Sequence, residues 1–138
     1  LNPHIAGENA GIIILGYDDG RRTIFDGNRL IDHAADNRRL TMGEALVEAE
    51  AASVRLDGYG RLHRRETGAA DWQQIWHCET DERFGGGCVD ALCQHAVDAW
   101  REGRTPENDA TNYLEILAIE EQVYESAATG SRISRERD

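Results

Sequence analysis

Lysine is absent from this chain of 138 residues: all 15 of its basic side chains are arginine. That excludes Schiff-base chemistry, a lysine general base and a P-loop of the lysine-containing kind. Long apolar runs are missing too. The longest, Gly11-Ile12-Ile13-Ile14-Leu15, falls far short of the ~20 residues that a membrane span requires. No signal-peptide pattern opens the chain, which begins at Leu1 rather than methionine. Cysteine is scarce and odd in number: Cys78, Cys88 and Cys93 read as reduced thiols in a cytoplasmic protein, not as a disulfide framework. Positive charge is in deficit, with 26 acidic residues giving a net charge of −11. A nucleic-acid backbone would be repelled at long range, and with no apolar run long enough no membrane partner is expected either.

What remains is a globular composition, 40% hydrophobic and 30% charged. The length suits one domain, residues 1–138, and not two. Residues Ala10 to Tyr17 are isoleucine-rich and end at the turn Asp18-Asp19-Gly20; with Thr23-Ile24-Phe25 they predict a hairpin. Residues 32 to 40 read as a connecting loop. Ser53 to Leu56, the turn Asp57-Gly58-Tyr59-Gly60 and Arg61 to Arg64 predict a second hairpin, with a further strand at Gln73 to His77. Thr41 and Glu44 stand at capping-box spacing before an alanine-rich run to Ala52, which by propensity is a helix. That helix would sit between strands, on a thin apolar stripe.

The last third is helical. Val89, Leu92, Cys93, Ala96, Val97 and Trp100 share one helix face and are expected to be its buried stripe. Gly103 stops that helix and Pro106 follows. Asn108 or Asp109 caps a second one, with Tyr113, Ile116, Leu117, Tyr124 and Ala127 as its apolar arc and Gly130 at its end. Residues 131 to 138 read as a charged tail. Strands first and helices last predict an α+β domain: a mostly antiparallel open sheet with two C-terminal helices packed on one face.

Sites of chemistry are few. Gly85-Gly86-Gly87 precedes a helix but lies among Glu79, Asp81, Glu82 and Asp90, which disfavours phosphate. Asp90 and His95 are five apart and diverge around a helix, so His95 is expected to be partly solvated. His77, Cys78, Cys88, Cys93 and His95 lack the close ligand pairs of a zinc site, so no metal site is expected. Arg61, His63, Arg64 and Arg65 form a basic cluster expected to balance nearby carboxylates, with anion binding as a minority reading. Glu120 projects from the apolar arc of the second helix and calls for an arginine partner or an interface.

Several segments in order resemble the C-terminal domain of Gfo/Idh/MocA oxidoreductases (glucose–fructose oxidoreductase, inositol dehydrogenase and relatives). They are Asn2-Pro3 with Ile5-Ala6-Gly7-Glu8, and Asp26-Gly27-Asn28-Arg29-Leu30 with Asp32-His33. Thr41-Met42-Gly43-Glu44 and Val47-Glu48 follow, then Leu56-Asp57-Gly58 and Gly60-Arg61-Leu62. The last are Gly103-Arg104 with Pro106-Glu107, Tyr113-Leu114, and Glu121 with Tyr124-Glu125-Ser126-Ala127. Ala49 and Gln122 depart from the family pattern. The run Gly85 to His95 only mimics that family's active-site helix, because its spacing differs, so catalytic roles are not carried onto Asp90 or His95.

The resemblance implies a strand around Ala45 to Glu48, against the local helix propensity. It also implies a chain that is a piece of a larger enzyme, without the N-terminal Rossmann domain and its catalytic lysine, and inactive alone. The parent would be an NAD(P)-dependent dehydrogenase of a sugar, polyol or related hydroxy compound; this piece would bind neither NAD nor NADP. It would supply part of the substrate cleft and a homodimer or larger contact through its sheet. Trp76, His77 and Arg83, polar or aromatic near a strand end, are the candidates for contact with the small-molecule substrate. The alternative is a stand-alone α+β ligand-binding or assembly module.

Overall fold

The computed structural model describes residues 10–28, 32–38, 40–79 and 87–134. The element order is β1 (Ala10–Gly16), β2 (Arg22–Asn28), β3 (Ala45–Glu48), β4 (Ala52–Leu56), β5 (Arg61–Glu66), β6 (Gln73–His77), α1 (Cys88–Arg101) and α2 (Ala110–Thr129). This is the expected α+β class, strands first and both helices last. The strands are distributed over two antiparallel sheets, a β1-β2 pair and a four-stranded sheet in the order β3-β4-β5-β6. The chain divides into two compact units, one containing β3 to β6 and the other containing Ile13–Thr23 with the helical segment from Leu92.

The β1-β2 turn closes through hydrogen bonds from the Tyr17 amide to the Arg21 carbonyl and from the Gly20 amide to the Tyr17 carbonyl, both 3.0 Å. Gly20 takes φ 85° there, the left-handed region that glycine enters without steric cost.

Strand β3 settles the conflict at residues 41 to 52. Propensity in an alanine-rich run is worth tenths of a kcal/mol per residue, whereas pairing with β4 satisfies its backbone along a ladder. Ala45 faces Leu56, Leu46 faces Arg55, Val47 faces Val54 and Glu48 faces Ser53. Across β4 and β5, Ser53 faces Arg65, Val54 faces Arg64, Arg55 faces His63 and Leu56 faces Leu62. Between β5 and β6, Arg61 faces His77 and Leu62 faces Trp76; a register shift at Leu62/His63 then places His63 opposite Gln74.

Because opposed residues share a face, this register sorts the sheet chemically. One face carries Ala45, Val47, Val54, Leu56, Leu62 and Trp76, with Arg64, Glu66 and Gln73 toward one end. The other carries Leu46, Arg55, Arg61, His63, Arg65 and His77.

Both helices run as the periodicity predicts. Asp109 is the N-cap of α2, its side chain accepting a 2.8 Å hydrogen bond from the Asn112 amide, and Gly130 closes the helix at φ 65°. The expected burial of α1 is corrected. Val89, Leu92, Val97 and Trp100 are exposed, as is Cys93; the covered side is instead His95, Asp98 and the fully buried Ala99. Periodicity reports which face a helix offers, not whether that face is covered. On α2, Tyr113, Ile116 and Tyr124 are likewise exposed, and Leu117 is half-buried. Among the described residues no helix is long and apolar enough to cross a membrane.

Candidate functional site

The most tightly built group in the four-stranded sheet begins at Asp57, where β4 turns into β5. An Asp-Gly-x-Gly sequence is suited to this, because the aspartate side chain can bond the amides just ahead of it while glycines take the tight positions. Gly60 adopts φ 73°. Gly58 is held for a different reason: a Cβ there would run into the Ala34 carbonyl oxygen and the His33 ring. The loop before β3 therefore lies directly against the turn, and His33 Nε2 is 3.2 Å from the Thr41 hydroxyl.

Asp57 is 8% exposed, and its carboxylate accepts four hydrogen bonds. Oδ1 receives the Tyr59 amide at 3.0 Å and the Arg61 amide at 3.1 Å; Oδ2 receives Arg61 Nε at 2.8 Å and His63 Nε2 at 3.0 Å. Burial alone would raise the carboxyl pKa. The donors, led by the Arg61 amide, the His63 ring and the Arg61 guanidinium, outweigh it and hold the pKa at about 2. An ionised carboxylate only accepts, so His63 must donate from Nε2. Asp57 is thus no general acid near neutral pH, and its oxygens are already taken. Its role is to position Arg61 and His63 on the polar face, where the Arg61 guanidinium also lies 4.6 Å over the Tyr59 ring.

Farther along the same face, the guanidiniums of Arg55 and Arg65 each lie 5.0 Å from the centroid of the Trp72 ring. Arg64, between His63 and Arg65 in sequence, is on the opposite face and pairs with Glu66 at 2.8 Å. The basic cluster expected at 61 to 65 is thereby split by strand alternation. Arg61 and Arg64 balance carboxylates as expected; Arg65 stacks on an indole instead.

Trp76 and His77 are both exposed on β6. Trp76 faces Leu62 and His77 faces Arg61, so the two lie on opposite faces of the sheet and do not form one site. Arg83 lies outside the described residues, as do Gly85 and Gly86. Glu120 is exposed on α2, so no buried carboxylate has to be compensated there. His95 is half-buried, as expected, but its Nε2 is closed off from solvent and lacks a hydrogen-bond partner among the described residues. Cys78, Cys88 and Cys93 are all unpaired. Among the described residues no group of three His, Cys, Asp or Glu side chains is placed to hold a metal ion.

Sequence reasoning missed the Asp57 hub and the Arg55–Trp72–Arg65 stack. The first had a signal, since Asp57, Tyr59, Arg61 and His63 recur at every second position from an Asp-Gly turn. The second joins three segments, and Trp72 precedes β6 in a loop that no periodicity marks.

No family model matches the chain, and no solved structure matches it. It is similar to the D-apiose dehydrogenase of Paraburkholderia graminis, with 26% identity over 96% of this chain and 36% of that protein. The relative is an oxidoreductase, and the chain spans only about a third of its length.

Proposed function

We propose that this chain is the C-terminal substrate-cleft and oligomerisation domain of a cytoplasmic NAD(P)-dependent dehydrogenase of the Gfo/Idh/MocA type. The enzyme would act on a sugar, polyol or related hydroxy compound, and the chain would be inactive by itself. The observation that carries this reading is the likeness to a dehydrogenase that extends over 96% of the chain but only 36% of the relative. The ordered segments from Asp26-Gly27 to Tyr124-Glu125 support it.

The surface of the chain supports an assembly role. Val47 and Trp76 on the apolar sheet face are 64% and 52% exposed, and Trp100 on α1 is 81% exposed. These exposed apolar side chains belong, on this reading, to surfaces that a partner covers. In this reading the partners are a second copy, through the sheet, and a Rossmann portion of the parent.

In this reading the chain itself holds no nicotinamide dinucleotide. Every pairing within β3 to β6 is antiparallel and both helices follow the last strand. Among these residues there is therefore no βαβ unit of the kind that cradles a pyrophosphate. The cofactor belongs to the Rossmann portion in this reading, and the candidates for substrate contact are Arg83 and one of Trp76 and His77, which lie on opposite faces.

The test is the coding frame that contains Leu1. A Gly-x-Gly-x-x-Gly followed by Glu-Lys-Pro upstream, and a full-length product that reduces NAD or NADP with a sugar or polyol such as D-apiose, is the expected result. A start codon immediately before Leu1 overturns the reading in favour of a stand-alone ligand-binding or assembly module.

A further inference from the structure

The polar face of the four-stranded sheet holds a group that the proposed function does not use. Register makes Arg55 and Arg65 diagonal neighbours, since Arg55 faces His63 and Ser53 faces Arg65. Each guanidinium carbon is 5.0 Å from the same Trp72 centroid, so the two charges are at most twice that distance apart. Stacking on an indole occupies the flat face of a guanidinium and leaves its N–H edge for a planar acceptor.

Six other arginines, Arg21, Arg38, Arg61, Arg64, Arg101 and Arg104, each lie within 4.0 Å of a carboxylate oxygen, while Arg22 and Arg132 lie on other segments, without a neighbouring arginine on a shared ring. Among the described residues Arg55 and Arg65 have no such pair. Two acidic residues share their face. Asp57 is already bonded to Arg61 and His63, and Glu48 lies opposite Ser53 on the edge strand with no ion pair to Arg65. Two like charges held on one ring repel each other, and an anion between or across them relieves that repulsion.

We propose that Arg55, Trp72 and Arg65 form a binding site for the oxyanion group, phosphate or carboxylate, of a small molecule. The fork of N–H donors on each guanidinium matches the paired oxygens of such a group. Trp72 is a positioning residue: half-buried and in contact with both guanidiniums, it restrains the two side chains before the anion arrives and so lowers the ordering cost of binding.

The test follows the Trp72 indole N–H resonance of the whole chain, assigned with Trp72→Phe. It is titrated with inorganic phosphate and, separately, with malonate, each against chloride at matched ionic strength. The expected result is a saturable shift with at least one of the two anions and none with chloride; which anion saturates assigns the phosphate or the carboxylate source. Arg55→Gln and Arg65→Gln should each weaken binding about tenfold, the loss of one hydrogen bond to a charged group. Arg64→Gln removes the same charge from the opposite face and should change it less than about twofold. Should either glutamine variant unfold, Arg55→Lys and Arg65→Lys keep the charge but not the stacked fork and are expected to weaken binding as well. Three results overturn the proposal: no saturable shift with either anion, equal loss in all three glutamine variants, or a shift that follows protein dilution without added anion. The last would place carboxylates of a second copy on this face.

Discussion

The turn at Asp57 and the apolar stripe of α1 are both written clearly in the sequence, and they end in opposite states. At Asp57 a buried carboxylate meets four donors within ten residues of chain, so the folded segment completes itself. On α1 the residues best patterned for burial, Val89, Leu92, Val97 and Trp100, are between 40% and 81% exposed. The difference separates what a segment completes within itself from an apolar face that its own segment leaves in water. Hydrogen-bond chemistry at short sequence separation is self-contained. An apolar face is only half of an interface.

The comparison breaks most sharply at Asp57. In Asp57→Asn the amide nitrogen must meet either Arg61 Nε and His63 Nε2 or the backbone amides of Tyr59 and Arg61, donor against donor in both orientations, and the paired charge is lost. The expected loss is about 3 kcal/mol of unfolding free energy by urea titration. Acid supplies the sign. The folded pKa of about 2 lies below the ordinary 3.8, so this stabilisation is complete above pH 3.8. It is lost as pH falls from there toward 2, by about 2 kcal/mol in all. The asparagine variant should lack that segment of the pH–stability curve. A cost under about 1 kcal/mol would mean that the turn is not self-contained.

The same contrast explains how far the sequence could be read. Hairpins, caps and helices depend on neighbours within a few residues, and Gly20, Asp109 and Gly130 all act where their types suggested. Strand β3 was harder, because alanine-rich local propensity opposed a ladder set by Val54 and Leu56 on another strand; resemblance, not periodicity, resolved it. At the candidate sites, alternation along β5 sends Arg64 away from Arg61, His63 and Arg65, a separation that strand spacing already contains. The contact of Trp72 with Arg55 and Arg65 was not legible, since it depends on which loop meets which strand pair. The cover of α1 was not legible either, for the reason the comparison gives.

A smaller effect is expected at the start of α2, another self-contained feature. The Asp109 side chain satisfies one amide of the first turn, that of Asn112 at 2.8 Å. Asp109→Ala leaves that donor to water and should cost about 1 kcal/mol, read as a lowered urea midpoint with an unchanged slope. Asp109→Ser, which keeps a capping oxygen, should recover most of it.

The smallest effect is expected at the largest side chain of the α1 stripe. A tryptophan truncated inside a packed core costs about 3–5 kcal/mol. Trp100 is 81% exposed, so little of its apolar area leaves water when the chain folds. Trp100→Ala should therefore change stability by less than about 0.5 kcal/mol, although it removes more apolar surface than any other single truncation on that face. Measured beside Asp57→Asn by the same urea titration, it should leave the midpoint almost unmoved. A loss of 2 kcal/mol or more, on the scale of a core truncation, would mean that the stripe is covered within the chain itself. The difference between the two regions would then vanish, because α1 would have found inside this molecule the surface that its sequence addresses.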